Sequence, residues 1–196
     1  RDKEEMDDFV KAEPASTKYF HPWYGAKELI SRQPRYCLWL GDCTPGELKK
    51  MPACLNRVQA VRDYRLKSPS PGTRKIADTP TRFHVENMPK GNYLVMPEVS
   101  SQRRRYIPFG YMDDSVLCSN KVRLMPSATL YHFGVLESNV HMSWMRSVCG
   151  RLKSDYDYSI KIVYNNFPWP SPTEDQKQKI EQTAQGILDA RNLYPS

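Results

Sequence analysis

PEVSSQRRRYIPFGYMDDSVLCSNKVRLMP, residues 97–126, carries the reading on which the fold turns. It opens with Ser100, Ser101 and Gln102, runs through the consecutive arginines Arg103, Arg104 and Arg105, and closes on an alternating segment from Ser119 to Leu124. Side chains of an extended segment point to opposite faces at every other residue. Ser119, Lys121 and Arg123 then share one face, and Val122 and Leu124 the other. One face suits a core and the other a polyanion, because lysine and arginine supply charge for phosphates and the arginine fork also fits O6 and N7 of guanine. A half-buried strand with a solvated charged face accounts for the same alternation.

Outward from this run, strand-like pieces are expected at Tyr93 to Met96, Arg104 to Phe109, Val116 to Leu124 and Thr129 to Leu136, separated by proline, glycine and aspartate pairs as in a meander. Ser138 is placed to cap a helix with Val140, Trp144, Met145 and Val148 on one side, and Gly150 to stop it. Tyr156 to Tyr164 alternates again, while Pro168, Pro170 and Pro172 exclude regular structure after it. A last helix opens with Thr173 and Gln176 in capping-box spacing and carries Ile180, Ala184, Ile187 and Leu188 as a stripe in need of a partner.

Towards the N-terminus, Tyr19, Phe20, Trp23 and Tyr24 start a compact unit, a helical turn is expected over 26–31, and Arg35 to Leu40 reads as a buried strand ended by Gly41-Asp42. Pro52 suits a helix start, and Leu55, Val58, Val61 and Tyr64 form its stripe, with Arg57, Arg62 and Arg65 elsewhere around the wheel. Residues 68–72, SPSPG, read as a loop, and Arg57 to Lys75 holds six basic residues and one acid, the densest positive charge in the chain. Residues 1–18 are charged and poor in large apolar groups, and read as a linker or leader.

The fold class expected from these pieces is α+β: twisted, mostly antiparallel strands with helices packed against them, and a C-terminal helix. The domain plan is 1–18 leader, 19–170 compact domain, 171–196 C-terminal helical segment.

Of the 196 residues, 29 are Lys or Arg and 22 Asp or Glu, for a net charge of +7. The leader holds four basic and six acidic residues, which leaves +9 on the remainder. That balance favours nucleic acid over acidic small molecules as a partner. The five cysteines include no C-x-x-C pair and are odd in number, as free thiols in a reducing cytoplasm would be. No apolar run approaches the ~20 residues of a membrane span, and the start at Arg1 without methionine points to a piece of a longer protein.

Several motifs invite chemistry. Tyr111-Met112-Asp113-Asp114 spells a reverse-transcriptase hairpin, but two-metal chemistry needs a third carboxylate and a larger palm, so a surface turn is expected. Asp42, Glu47 and Lys49 echo a nuclease pattern, yet Pro45-Gly46 starts a helix where that motif wants a strand. The four histidines lack metal-ligand spacing, His132 reading as a packed residue of an aromatic strand. No P-loop, G-x-S-x-G or G-x-G-x-x-G occurs, and NNFPW at 165–169 departs from the Asn-Pro-Pro-aromatic motif that holds a flipped base.

Taken together, RYCLWL at 35–40, VSSQRRRYIP at 99–108, GRLKSDY at 150–156 and YNNFPWP at 164–170 resemble the C-terminal half of the MmeI-like bacterial DNA methyltransferases. These are adenine-N6 enzymes, some fused to a nuclease as type IIL restriction-modification proteins. The resemblance spans roughly residues 19–194. It implies a DNA target recognition domain with the start of a C-terminal helical region, in a cytoplasmic protein. Its partners would be double-stranded DNA and an N-terminal methyltransferase domain of the same chain that binds S-adenosylmethionine. The cofactor loop and Asn-Pro-Pro-aromatic motif are absent from this stretch, which implies catalytic silence for it and no cofactor of its own.

A methyltransferase extrudes its base, so a separate module must grip the flanking duplex in register. Phosphate contacts fix register and base-edge contacts fix sequence. Ser100, Ser101, Arg103 and Arg105 are assigned to the DNA backbone, since a family-wide motif cannot encode a variable sequence. Lys75, Asn120, Lys121 and Arg123, outside the shared motifs, are assigned to base readout. A non-catalytic RNA-binding or protein-interaction domain is the alternative.

Overall fold

The computed structural model describes residues 2–193. The chain forms two compact units, one of Arg1–Trp23 with Arg35–Asn87, the other of Tyr24–Pro34 with Met88–Ser196.

In the first unit the leader is helical. Asp2 caps α1 (Lys3–Ala12) by accepting from the Glu5 amide at 2.9 Å, and a 3-10 turn follows at Pro14–Tyr19. Charge and Pro14 argued against this, but Phe9 packs edge-on against Phe20 at 5.6 Å. Glu13 lies buried across the start of a second helix, its carboxylate accepting from the amides of Ala53 at 2.9 Å and Cys54 at 3.0 Å. The first four amides of a helix have no partner of their own. Met51, which precedes this one, offers no side-chain cap. Glu13→Ala is therefore expected to lower stability by about 1–2 kcal/mol, read as a shifted urea midpoint with an unchanged m-value. An unchanged midpoint would show that the leader does not hold that helix.

Strand β1 (Phe20–Tyr24) pairs antiparallel with β2 (Arg35–Leu38), Phe20 opposite Leu38 and Trp23 opposite Arg35. The core of this unit is Tyr19, Leu40, Met51 and Cys54, with Phe9, Leu38 and Val58 against it. Helix α4 (Pro52–Leu66) does not bury its expected stripe, since Leu55, Val61 and Tyr64 are all exposed. Residues spaced by three drift 60° per step around a helix, so Leu55, Val58, Val61 and Tyr64 wrap half the circumference and cannot face one core. Short helices occupy Pro45–Lys49 (α3) and Pro71–Lys75 (α5), the latter beginning inside the expected loop, where Ser70 accepts from the Thr73 amide.

The second unit contains α2 (Ala26–Ser31) and is built on β3 (Tyr93–Pro97), every residue of which is buried. Antiparallel neighbours flank it: β5 (Gly110–Met112) on one side, β7 (Val122–Pro126) on the other. A short β4 (Val99–Ser100) pairs with β9 (Asp155–Asp157), which forms a hairpin with β8 (Gly150–Leu152). The α+β expectation holds, with small antiparallel sheets in place of one meander.

Three expected strands differ. Residues 104–109 form an irregular loop because their main-chain groups bond to side chains rather than to a neighbouring strand. The run over 116–124 divides into β6 (Leu117–Cys118) and β7 at a turn where the Ser119 hydroxyl accepts from the Lys121 amide at 3.1 Å. Thr129 to Leu136 is a helix, α6 (Leu130–Leu136). His132 Nδ1 accepts from the Thr129 amide at 3.1 Å, and Phe133 and Leu136, one turn apart, are fully buried.

Ser138 caps α7 (Asn139–Val148) as expected, but the buried face is His141, Met142 and Met145, with Val140 exposed. A π-type turn at Ile160–Tyr164 replaces the second half of the next alternating run. Helix α8 (Glu174–Leu193) opens on the Thr173–Gln176 box and sets Ile180 and Ala184 against Gly134 of α6. It lies in the same compact unit as β3.

A candidate nucleic-acid interface

The arginine loop leaves β4 at Ser100. That residue is 1% exposed and its hydroxyl is withdrawn from solvent, so it does not serve as the phosphate contact assigned to it. Ser101 builds the turn instead: its hydroxyl accepts from the Arg103 amide at 3.3 Å and its carbonyl from the Arg104 amide at 3.0 Å. Asp155 of β9 accepts from the Gln102 amide at 3.3 Å, tying the loop to the hairpin. Arg103, Arg104 and Arg105 are exposed, and none has a carboxylate partner among the described residues. Arg105 stacks over Tyr106 at 5.5 Å, Tyr106 donates to Asn139 at 2.7 Å, and Arg146 donates to the Arg105 carbonyl.

The assigned readers fall in three places. Asn120 and Lys121 are exposed in the β6–β7 turn, which ends the alternation, so Lys121 does not share a strand face with Arg123. Arg123 stands on β7 opposite Met96 and pairs with Glu98 at 2.5 Å. Lys75 ends a short helix of the other unit and is exposed.

Beside Arg123 opens a recess of about 610 Å³ lined by Glu98, Arg123, Asp157, Ser159 and Lys161 among others. Its two carboxylates were missed because positive charge alone was the guide. Arg151, stacked on Tyr156 at 4.2 Å, and Lys153, at the hairpin tip with φ of 56°, were also missed, although both lie in a run singled out by resemblance.

Much of the charge counted in 57–75 is committed within the fold. Arg57 lies over Phe9, Arg62 pairs with Asp78 at 3.5 Å, and Arg74 donates to the carbonyls of Ser68 and Pro69. Arg65 holds the next loop by the carbonyls of Ile76, Thr79 and Arg82 at 2.6–2.8 Å. Lys67 and Lys75 have no such bond among the described residues.

The other motifs are structural. Asp113 accepts from the Ser115 amide and hydroxyl, which hold its carboxyl below the usual range, and Asp114 accepts from the Gly91 amide at 3.0 Å. Glu47 closes a capping box with Thr44, the N-cap of its short helix; its bonds to Lys18 at 2.6 Å and to Thr44 bring its pKa to about 2. His132 is bonded as expected, but on a helix.

Asn166 donates to the carbonyls of Lys161 and Ile162, and Phe167 packs edge-on against buried His141 at 4.6 Å. That segment is thus spent on packing and does not fit a flipped base or a methyl-donor cofactor. Among the described residues no three His, Cys, Asp or Glu side chains are grouped to hold a metal, and no helix is long and apolar enough to cross a membrane.

A family model described as the MmeI target recognition domain matches residues 2–171. DNA methyltransferase A of Bacillus subtilis (strain 168) is 36% identical over 187 residues, which cover 95% of this chain and 21% of that protein. The solved structure of the type IIL restriction-modification enzyme MmeI in complex with DNA aligns with a TM-score of 0.88 and 43% identity. That alignment covers 100% of this chain and 26% of the other, so the chain spans about a fifth to a quarter of these two relatives.

Proposed function

The chain belongs to the family of MmeI target recognition domains, and from that premise we propose that it grips double-stranded DNA and selects the sequence at which a longer protein acts. The observation that carries this is the pairing of an exposed arginine loop with a recess in which Arg123 faces carboxylates. A site made only for phosphates gains nothing from Glu98 and Asp157, which repel them. Base edges present donors as well as acceptors, and a carboxylate accepts from the amino group of cytosine while arginine donates to guanine.

In this reading Ser101, Arg103 and Arg105 hold the backbone, and Lys75, Asn120, Lys121 and Arg123 read bases. The longer protein is an adenine-specific DNA methyltransferase of the bacterial cytoplasm, with or without a nuclease. It takes S-adenosylmethionine in an N-terminal domain and leaves the present chain non-catalytic. In this reading the recognition domain runs over 19–170 after the leader 1–18, and the C-terminal helical segment takes up 171–196.

The test is selection of random duplex DNA by the full-length protein with cofactor, repeated for Lys121→Gln with Arg123→Gln. The enriched motif is expected to change. Arg103→Ala is expected instead to weaken every sequence alike and to lower the slope of log affinity against log salt by about 1. Equal losses across sequences for both variants would sink the division of labour. Preference for single-stranded RNA, or no enriched motif at all, would sink DNA recognition.

A further inference from the structure

The arginine loop is tied at its start by β4–β9 pairing and at its end by a buried bracket on both main-chain groups of one residue, Phe109. Glu137 Oε1 accepts from the Phe109 amide at 3.2 Å, and Arg191 donates one Nη to the Phe109 carbonyl and the other to Glu137 Oε1, both at 2.6 Å. The Glu137 side chain is 3% exposed and that of Arg191 25%, so the bonds are made largely out of water, where they are stronger. Arg191 also lies over the Phe133 ring at 5.2 Å. A planar guanidinium spans two acceptors at fixed spacing, which an ammonium does not.

The surface bonds of the same loop, Tyr106 to Asn139 and Arg146 to the Arg105 carbonyl, are exposed to competing water. The bracket is thus the firm end point of the segment that carries Arg103, Arg104 and Arg105. Its carboxylate follows α6, and its arginine comes from the last turn of α8, beyond the residues that the family model matches.

We propose that Arg191, acting through Glu137 and Phe109, is a positioning residue for DNA recognition: α8 fixes the register in which the arginine loop meets the phosphates. This rests on the function proposed above. A loop anchored at one end only would keep its charge and lose its alignment.

Removing Arg191 alone would strand a buried carboxylate and could unfold the unit. The test therefore uses Glu137→Gln with Arg191→Met, which removes both charges while glutamine still accepts from Phe109. In the free full-length protein, amide exchange over 104–109 is expected to speed up by about tenfold or more while the β3 amides keep their protection. Specific DNA affinity should fall, with the salt slope reduced by about 1.

Exchange that rises equally across the unit would mark a merely structural pair and overturn the proposal. So would local loosening with wild-type affinity and salt slope. If the wild-type protein itself selects no DNA, the recognition function fails and takes the positioning role with it. The exchange data, read without DNA, would still show whether the bracket anchors the loop.

Discussion

Valine at Gly134 is expected to cost roughly 3 kcal/mol, whereas alanine at Gly186 is expected to stabilise the chain by about 0.5–1 kcal/mol. Both glycines lie inside helices, Gly134 in α6 and Gly186 in α8. On propensity alone both substitutions should help. Space decides the sign. A Cβ on Gly134 would sit 2.7 Å from Ile180 Cγ2, 3.1 Å from the Ile180 carbonyl oxygen and 3.2 Å from Ala184 Cβ. The Ile180 side chain can turn away, but the carbonyl is main chain, so α8 itself must shift. Valine adds two methyls to that crossing and has poorer helix propensity. A Cβ on Gly186 would meet nothing within 4 Å beyond its own helix backbone and chain neighbours, and a methyl there only restricts the unfolded chain. Urea denaturation of the two variants beside the wild type reads both effects. A neutral Gly134→Val would mean that α6 and α8 do not meet at this glycine.

The same crossing explains one limit of the sequence. LYHFGVL at 130–136 carries Tyr131, Phe133 and Val135, residue types enriched in strands, and so reads as one. The helix is chosen by Thr129 and His132 at the cap, and by α8, whose approach only a glycine admits. The stripe Ile180, Ala184, Ile187, Leu188 was legible, but not which element it would cover. Two element ends marked by capping chemistry were legible: Ser138 and Thr173 with Gln176 act where spacing places them. Side-chain bonds to the main chain were not, because their partners lie far along the sequence. Glu13 serves a helix 40 residues on, and Arg191 serves Phe109 at a separation of 82.

The candidate interface was legible in the same uneven way. Exposed arginines at 103–105 and an exposed Lys121 follow from the run itself. The burial of Ser100 does not, because it depends on β4 pairing with a strand more than 50 residues away. Counting charge also overstates the surface open to phosphates. Arg65 and Arg74 are as cationic as Arg103, yet their guanidinium groups are occupied by carbonyls. The acceptors beside Arg123 were invisible to a search for positive charge, although a reader of base edges requires them as much as donors.

Acid is expected to weaken the chain through one histidine. His141 is fully buried, its Nε2 2.9 Å from the Tyr158 hydroxyl and its ring edge-on to Phe167, and burial lowers its pKa to about 4. In the unfolded chain the same ring titrates near about 6.5. Above that pH both states are neutral and the difference in proton uptake contributes nothing. Below it the unfolded chain gains a proton that the folded chain refuses, so stability falls as pH drops from about 6.5 towards about 4, by roughly 3 kcal/mol in all. Glu137 acts in the opposite sense. Burial raises its carboxyl pKa against the pull of Arg191, so its contribution is greatest in acid and is lost as pH rises through the folded value. A raw acid profile adds these two to the losses at Glu47, Asp113 and His132, whose pKa values are also lowered in the fold. His141→Gln separates them, because glutamine can still bond Tyr158 but cannot take up charge. The stability of the wild type relative to this variant should shrink by about 3 kcal/mol between pH 7 and pH 4. A difference that stays constant over that range would mean that His141 exchanges its proton as freely in the folded chain as in the unfolded one, and that the contact with Phe167 opens to water.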